Sequence, residues 1–271
     1  MEEKRMDQAD GLRRLFRAAP PDVLAVLPCG AVTTRWVADQ VLTRVHAGRH
    51  MLVLDEWEAC GNLADCLHAS MRFDLLQAIE GQVSEAQCIV DVMPGLRLAQ
   101  VGRLARVLSA ERIARQRTFA LLQGFQASCD EWLLLARPGE VESLSPLLLA
   151  APRLALVVDA HPMSVTTAWA SLKRVVRAAP DMGFALCHAG KADASLQATL
   201  DSFCSLAASR LGVQIVQAGN LSEVLDSGGD GNGVPGANFL QSLLQTCRTP
   251  AVKTFDARFP GTLARMGLNL P

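Results

Sequence analysis

The sequence predicts an α/β fold, a three-layer sandwich on a mostly parallel, doubly wound sheet of about seven or eight strands. Two observations carry that prediction. Short runs that are apolar at consecutive positions, such as MLVLD (51–55), WLLLA (132–136) and LALVVD (154–159), have the pattern of strands covered on both faces. They alternate with longer stretches of helical period, which implies right-handed βαβ crossovers. A chain of 271 residues, half of them apolar, is long enough to bury one large core.

In chain order, strands are expected at 23–27, 51–55, 88–92, 132–136, 154–159, 184–188 and 213–217, and helices at 33–47, 71–79, 104–127, 142–150, 163–177 and 193–210. Two stretches fall outside the alternation. DQADGLRRLF (7–16) is a helix candidate separated from the first strand by AAPP (18–21), and DSGGDGNGVPG (226–236) is Gly-rich and acidic, as flexible linkers are. The chain therefore divides into an N-terminal segment (1–20), an α/β domain (21–225), a linker (226–236) and a helical tail (237–271).

A net charge of −1 argues against non-specific nucleic-acid binding, which needs a basic surface. The opening MEEKRMDQADGLRRLF is charged throughout, so no secretory leader is expected, and no apolar run is long enough to span a bilayer. The eight cysteines are scattered and mostly lie within apolar runs, as reduced core thiols in a cytoplasmic protein would. Cys60, Cys66 and His68 lack the spacing of a metal site, and no metal is expected.

Ligands of an open parallel sheet bind at the carboxyl ends of its strands, which directs attention to the loops there. After the first strand comes PCGAVTTR (28–35). A phosphate loop needs several glycines, a lysine for the β/γ charge and a Ser/Thr for Mg²⁺. Gly30, Thr33 and Thr34 are present, with Arg35 as a substitute cation, but no lysine lies between residues 5 and 172. Thr33 or Thr34 would serve equally as the cap of the following helix. After the second strand, Asp55 and Glu56 can orient water or hold Mg²⁺, and Trp57 stands where a further acid would be useful. The 132–136 strand ends in Leu135, Ala136 and Arg137, with no carboxylate until Glu140.

The order of these pieces resembles the flagellar-number regulators of the MinD/ParA family of P-loop ATPases, the FlhG or FleN type. DQADGLRRL is similar to their opening DQAxGLR signature. LDEWEACGNLADCL, VVDAHPMSVTTAWASLKRV and LGVQIVQAGNL resemble later segments of that family, so the likeness covers roughly residues 7–225. The resemblance implies a SIMIBI-class NTPase fold. It also implies that Asp7, Gln8, Ala9, Gly11, Leu12 and Arg13 bind the SRP-type GTPase that places the flagellum. The family holds ATP in GKGGVGKT, where this chain has PCGAVTT, and its LDAD and DTPAG acids are Trp57 and Leu135 or Ala136 here. Gly30, Thr33, Thr34, Arg35 and Asp55 are then the vestige of a nucleotide site. No cofactor is expected unless the atypical loop still works with ATP and Mg²⁺.

In the tail, Phe239, Leu240, Leu243 and Leu244 form an apolar stripe. The family analogy reads it as a membrane-targeting helix, which would place the protein at the inner membrane or cell pole. The scarcity of Lys and Arg around it favours docking on the domain itself. The expected function is thus a cytoplasmic regulator of flagellar number or placement that works through contacts with the GTPase or another flagellar or polar protein. A homodimer and weak membrane contact are compatible with it. The alternatives are an active MinD-like ATPase with an atypical loop and a polar or septal scaffold.

Overall fold

In a computed structural model of the chain, the described residues are 21–58, 61–108, 111–126, 128–137, 144–190, 193–226, 239 and 242–243. The partner-binding segment inferred at residues 7–13, residues 227–236 of the expected linker, Leu240 and Leu244 lie outside them; Asp226, expected to open the linker, instead ends a helix.

Eight strands form one sheet in the order β3-β4-β2-β5-β1-β6-β7-β8. They are β1 (Asp22–Pro28), β2 (Met51–Asp55), β3 (Ile89–Met93), β4 (Leu96–Gln100), β5 (Glu131–Leu135), β6 (Arg153–Val158), β7 (Gly183–His188) and β8 (Ile215–Ala218). All neighbours run parallel except β3 and β4, which form an antiparallel hairpin at one edge. The hairpin turns at Met93–Pro94–Gly95, where Gly95 has φ +87°.

The helices are α1 (Thr33–His46), α2 (Leu63–Cys66), α3 (Leu75–Ile79), α4 (Glu85–Cys88), α5 (Gly102–Leu108), α6 (Arg112–Phe125), α7 (Pro146–Ala150), α8 (Pro162–Ala178), α9 (Ala194–Leu211) and α10 (Leu221–Asp226). Consecutive apolar residues are needed because each central strand is buried on both sides. Leu24 and Val26 of β1 pack with α1, α2 and α10, while Val23, Ala25 and Leu27 of the same strand face α5 to α9. Local chemistry sets several helix starts. The Asp74 and Gln77 side chains form a capping box on α3, and Asp193 accepts the Leu196 N–H at the start of α9.

The sequence-based boundaries change most at three places, and the short helices α2, α4 and α10 were not expected. The helix expected over 104–127 is two helices, α5 and α6, and the one expected over 71–79 begins only at its Asp74 cap. The strand LRLAQ (β4) was not foreseen, because Arg97 interrupts its apolar run. Arg97 reaches out from the sheet edge, its Nε 3.2 Å from Asp91 Oδ1 across the hairpin. Among the described residues, no helix is long and apolar enough to cross a membrane.

Candidate phosphate-loop site

The parallel strands deliver their carboxyl ends to one rim of the sheet, and β1 lies between β5 and β6 there. The loop leaving β1 folds on itself. The Thr33 hydroxyl donates to the Gly30 carbonyl (2.7 Å) and accepts from the Gly30 N–H (3.1 Å). This revises the expected cap: Val32 is the N-cap residue of α1, no side chain caps it, and Thr33 closes the turn instead. The Gly30 amide, a group that a phosphate loop would aim at an anion, is consumed inside the turn.

A side chain from the neighbouring strand lies against that turn. Asp159, directly after β6, is 7% exposed. A Cβ built on Gly30 would stand 2.1 Å from its Oδ2 and 2.4 Å from its Cγ. The glycine is therefore required by the approach of a carboxylate. Asp159 Oδ1 accepts the His161 N–H (3.0 Å), and its own N–H donates to Ser164 Oγ (2.9 Å), so the acid is held in place. Burial, with the Asp159 charge adding to it, pushes the Cys29 thiol up to about 12. Asp159 was not foreseen as a site residue. The only trace of it in the sequence is an acid at the end of the apolar run LALVVD.

The remaining candidates do not assemble around an anion. Thr34 is buried. Arg35, the substitute cation, lies on the exposed face of α1, 3.5 Å from Asp39 one turn further on. Asp55 is buried and accepts from the N–H groups of Trp57 (2.9 Å) and Leu63 (3.0 Å), which fixes the loop after β2. Desolvation raises its pKa to about 6.

Glu56 is also buried. It is hydrogen-bonded by the Ser145 hydroxyl and, more weakly, by the Arg137 N–H (3.4 Å), and burial raises it to about 7. It thereby joins the loops after β2 and β5. Sequence reading named Glu56 only as an available carboxylate and missed Ser145, which lies 89 positions away.

A magnesium nucleotide is held by cations and amides at such a loop, whereas here the Gly30 amide is bonded within the turn and the Asp159 carboxylate lies beside it. Among the described residues no group of three or more His, Cys, Asp or Glu side chains is placed to hold a metal ion.

At the opposite rim, Phe239 and Leu243 of the tail are buried in the helical layer that covers β5. The Phe239 ring meets Trp132 edge to face, with centroids 6.0 Å apart.

No protein-family model and no curated protein matches the sequence. Solved structures do match. The MinD cell division protein of Aquifex aeolicus is 14% identical, with a TM-score of 0.52 over 83% of this chain and 95% of that one. An ATP complex of Cyanothece McdA is 13% identical, with a TM-score of 0.54 over 84% and 97%. A ParA family ATPase from Chlorobium tepidum is 14% identical, with a TM-score of 0.50 over 82% and 98%. The strand order, the helical layers and these likenesses agree: the chain has the fold of the MinD/ParA P-loop ATPases.

Proposed function

We propose that this protein is a regulator of flagellar number or placement that works through protein contacts and has lost ATP binding and hydrolysis. The observation that carries the second half is the Asp159 carboxylate packed against Gly30, in a loop without lysine whose own threonine closes it. Bringing a triphosphate there would set like charges side by side. Each lost charge-assisted contact also costs about 1.5–3 kcal/mol. The first half rests on the resemblance of residues 7–13 to the DQAxGLR signature. In this reading Asp7, Gln8, Ala9, Gly11, Leu12 and Arg13 bind an SRP-type GTPase. Gly11 costs a free helix about 1 kcal/mol, which suits a segment that folds only on its partner.

Equilibrium titration of the full chain with labelled ATP and Mg²⁺ is expected to show no saturable binding up to millimolar nucleotide. Micromolar binding abolished by Thr34→Ala or Arg35→Ala would instead establish an ATPase with an atypical loop. For the partner, a Gln8→Ala/Leu12→Ala double variant is expected to lose capture of the flagellar GTPase, and unchanged capture refutes that assignment. Burial of Phe239 and Leu243 against the domain supports a docking role for the tail over a membrane role.

A further inference from the structure

The rim around Asp159 combines two features that a retired site has no need to keep. Its flanking loops expose large apolar side chains: Val32 is 56% exposed, and Met163, in the first turn of α8, is 63% exposed. Ala31 and Pro162 beside them are exposed as well. The two loops are neighbours, because they follow the paired strands β1 and β6 and meet where Asp159 contacts Gly30. The second feature is charge. Asp159 stands at the junction, Asp55 ends β2, Asp65 lies in α2, and Arg35 near the start of α1 is engaged with Asp39. An apolar rim around an acidic centre fits a segment that alternates arginine with large apolar residues.

We infer that this rim receives the segment DQADGLRRLFR (7–17) of a second copy of the chain, with Arg13 and Arg14 toward Asp159 and Leu12, Leu15 and Phe16 on Val32 and Met163. The occupant is chosen by charge complementarity: 7–17 contains Leu-Arg-Arg-Leu-Phe-Arg, whereas the similar Leu-Lys-Arg-Val-Val-Arg at 172–177 is already part of α8 in the folded domain. It comes from a second copy for geometric reasons. β1 carries the chain from Asp22 away to the far rim, about 20 Å over its seven residues. The residues between Phe16 and Asp22 reach only about the same distance fully extended, with a helical layer to go round. The consequence is regulatory and rests on the proposed partner role of residues 7–13: a segment seated on another copy is withheld from the GTPase, so self-association and partner capture compete.

The test is a fluorescein-labelled peptide of residues 7–17 titrated into the full chain by anisotropy, together with sedimentation of the full chain over a range of concentrations. Saturable binding is expected, weakened at least tenfold by Asp159→Asn and by Met163→Glu, and absent for a peptide with Arg13→Glu and Arg14→Glu. The same substitutions in the full chain should leave it monomeric. Should Asp159→Asn unfold the protein, the exposed Met163→Glu variant decides. Equal peptide binding by wild type and Met163→Glu, or undiminished self-association of the Arg13→Glu/Arg14→Glu chain, would overturn the inference. Capture of the GTPase by the Met163→Glu chain is measured alongside and is expected to be retained or increased. Loss of GTPase capture by the Gln8→Ala/Leu12→Ala chain is a separate readout, so failure of one assignment is distinguishable from failure of the other.

Discussion

The two rims of the sheet both bury acids and treat them in opposite ways. At the amino-end rim Glu131 is fully buried, yet Arg44 grips both its oxygens and Arg49 Nε adds a bond of 2.7 Å. Arg44 also reaches Asp226 (2.9 Å), so one guanidinium joins α1, β5 and α10. At the carboxyl-end rim Asp55, Glu56 and Asp159 are buried with backbone N–H groups and one hydroxyl as hydrogen-bond partners. The first rim is compensated by charge and built to hold the fold. The second is held by neutral donors, and two of its acids are raised toward neutrality. A site built to bind polyphosphate would have the reverse electrostatics there.

Removing the cation at the first rim should have the largest effect. Arg44→Ala leaves Glu131 buried with Arg49 as its remaining hydrogen-bonded cation, and loss of one partner of a buried pair costs about 3–5 kcal/mol. Urea denaturation at neutral pH should place this variant far below wild type. A loss under 1 kcal/mol would mean the two rims are not different in kind.

At the second rim, Gly30→Ala forces a methyl group against the Asp159 carboxylate and should cost about 1–3 kcal/mol, as overpacking does. Combining it with Asp159→Ala should restore part of that loss. Additive losses in the double-mutant cycle would show that the contact is not what requires glycine.

The raised acids predict a pH dependence of defined sign. Asp55 and Glu56 have ordinary values of 3.8 and 4.5 and stand at about 6 and about 7 in the folded protein. The folded state therefore holds their protons more tightly. Their stabilisation is complete below about pH 4 and is lost as pH rises through 6 and 7. Chemical denaturation between pH 5 and 8 should show stability falling with pH, and Glu56→Gln should flatten the slope by up to one proton. An unchanged slope would show that Glu56 is ionised throughout.

The smallest effect is expected at the tail. Phe239→Leu keeps an apolar side chain in the helical layer but loses the edge-to-face contact with Trp132, worth about 1 kcal/mol. A shift in the denaturation midpoint with unchanged slope would fit a tail that completes the core, whereas no change at all would free it for another surface.

The same two rims show what could be read from the sequence. LALVVD and WLLLA were legible as doubly buried strands because a parallel sheet imposes one local rule along the whole run. β4 was hidden because a sheet edge admits arginine, and the break between α5 and α6 because Glu111 and Arg112 carry no Gly or Pro to mark it. In the site, the missing lysines were plain, while the partners of Gly30 and Glu56 were not. Asp159 and Ser145 reach them across more than 80 residues of chain, and no periodicity records such a contact.

By itself the sequence determined the class of fold and the absence of lysine from the loop after the first strand, since both depend on residue types at consecutive positions: apolar runs for buried strands, PCGAVTT for the loop. Tertiary structure decided what packs against that loop. Pairing of β1 with β6 sets the Asp159 carboxylate on the Gly30 backbone, and packing of β5 sets Phe239 on Trp132. Those are contacts between segments whose order in the chain says nothing of their distance in space, and only the folded sheet brings them together.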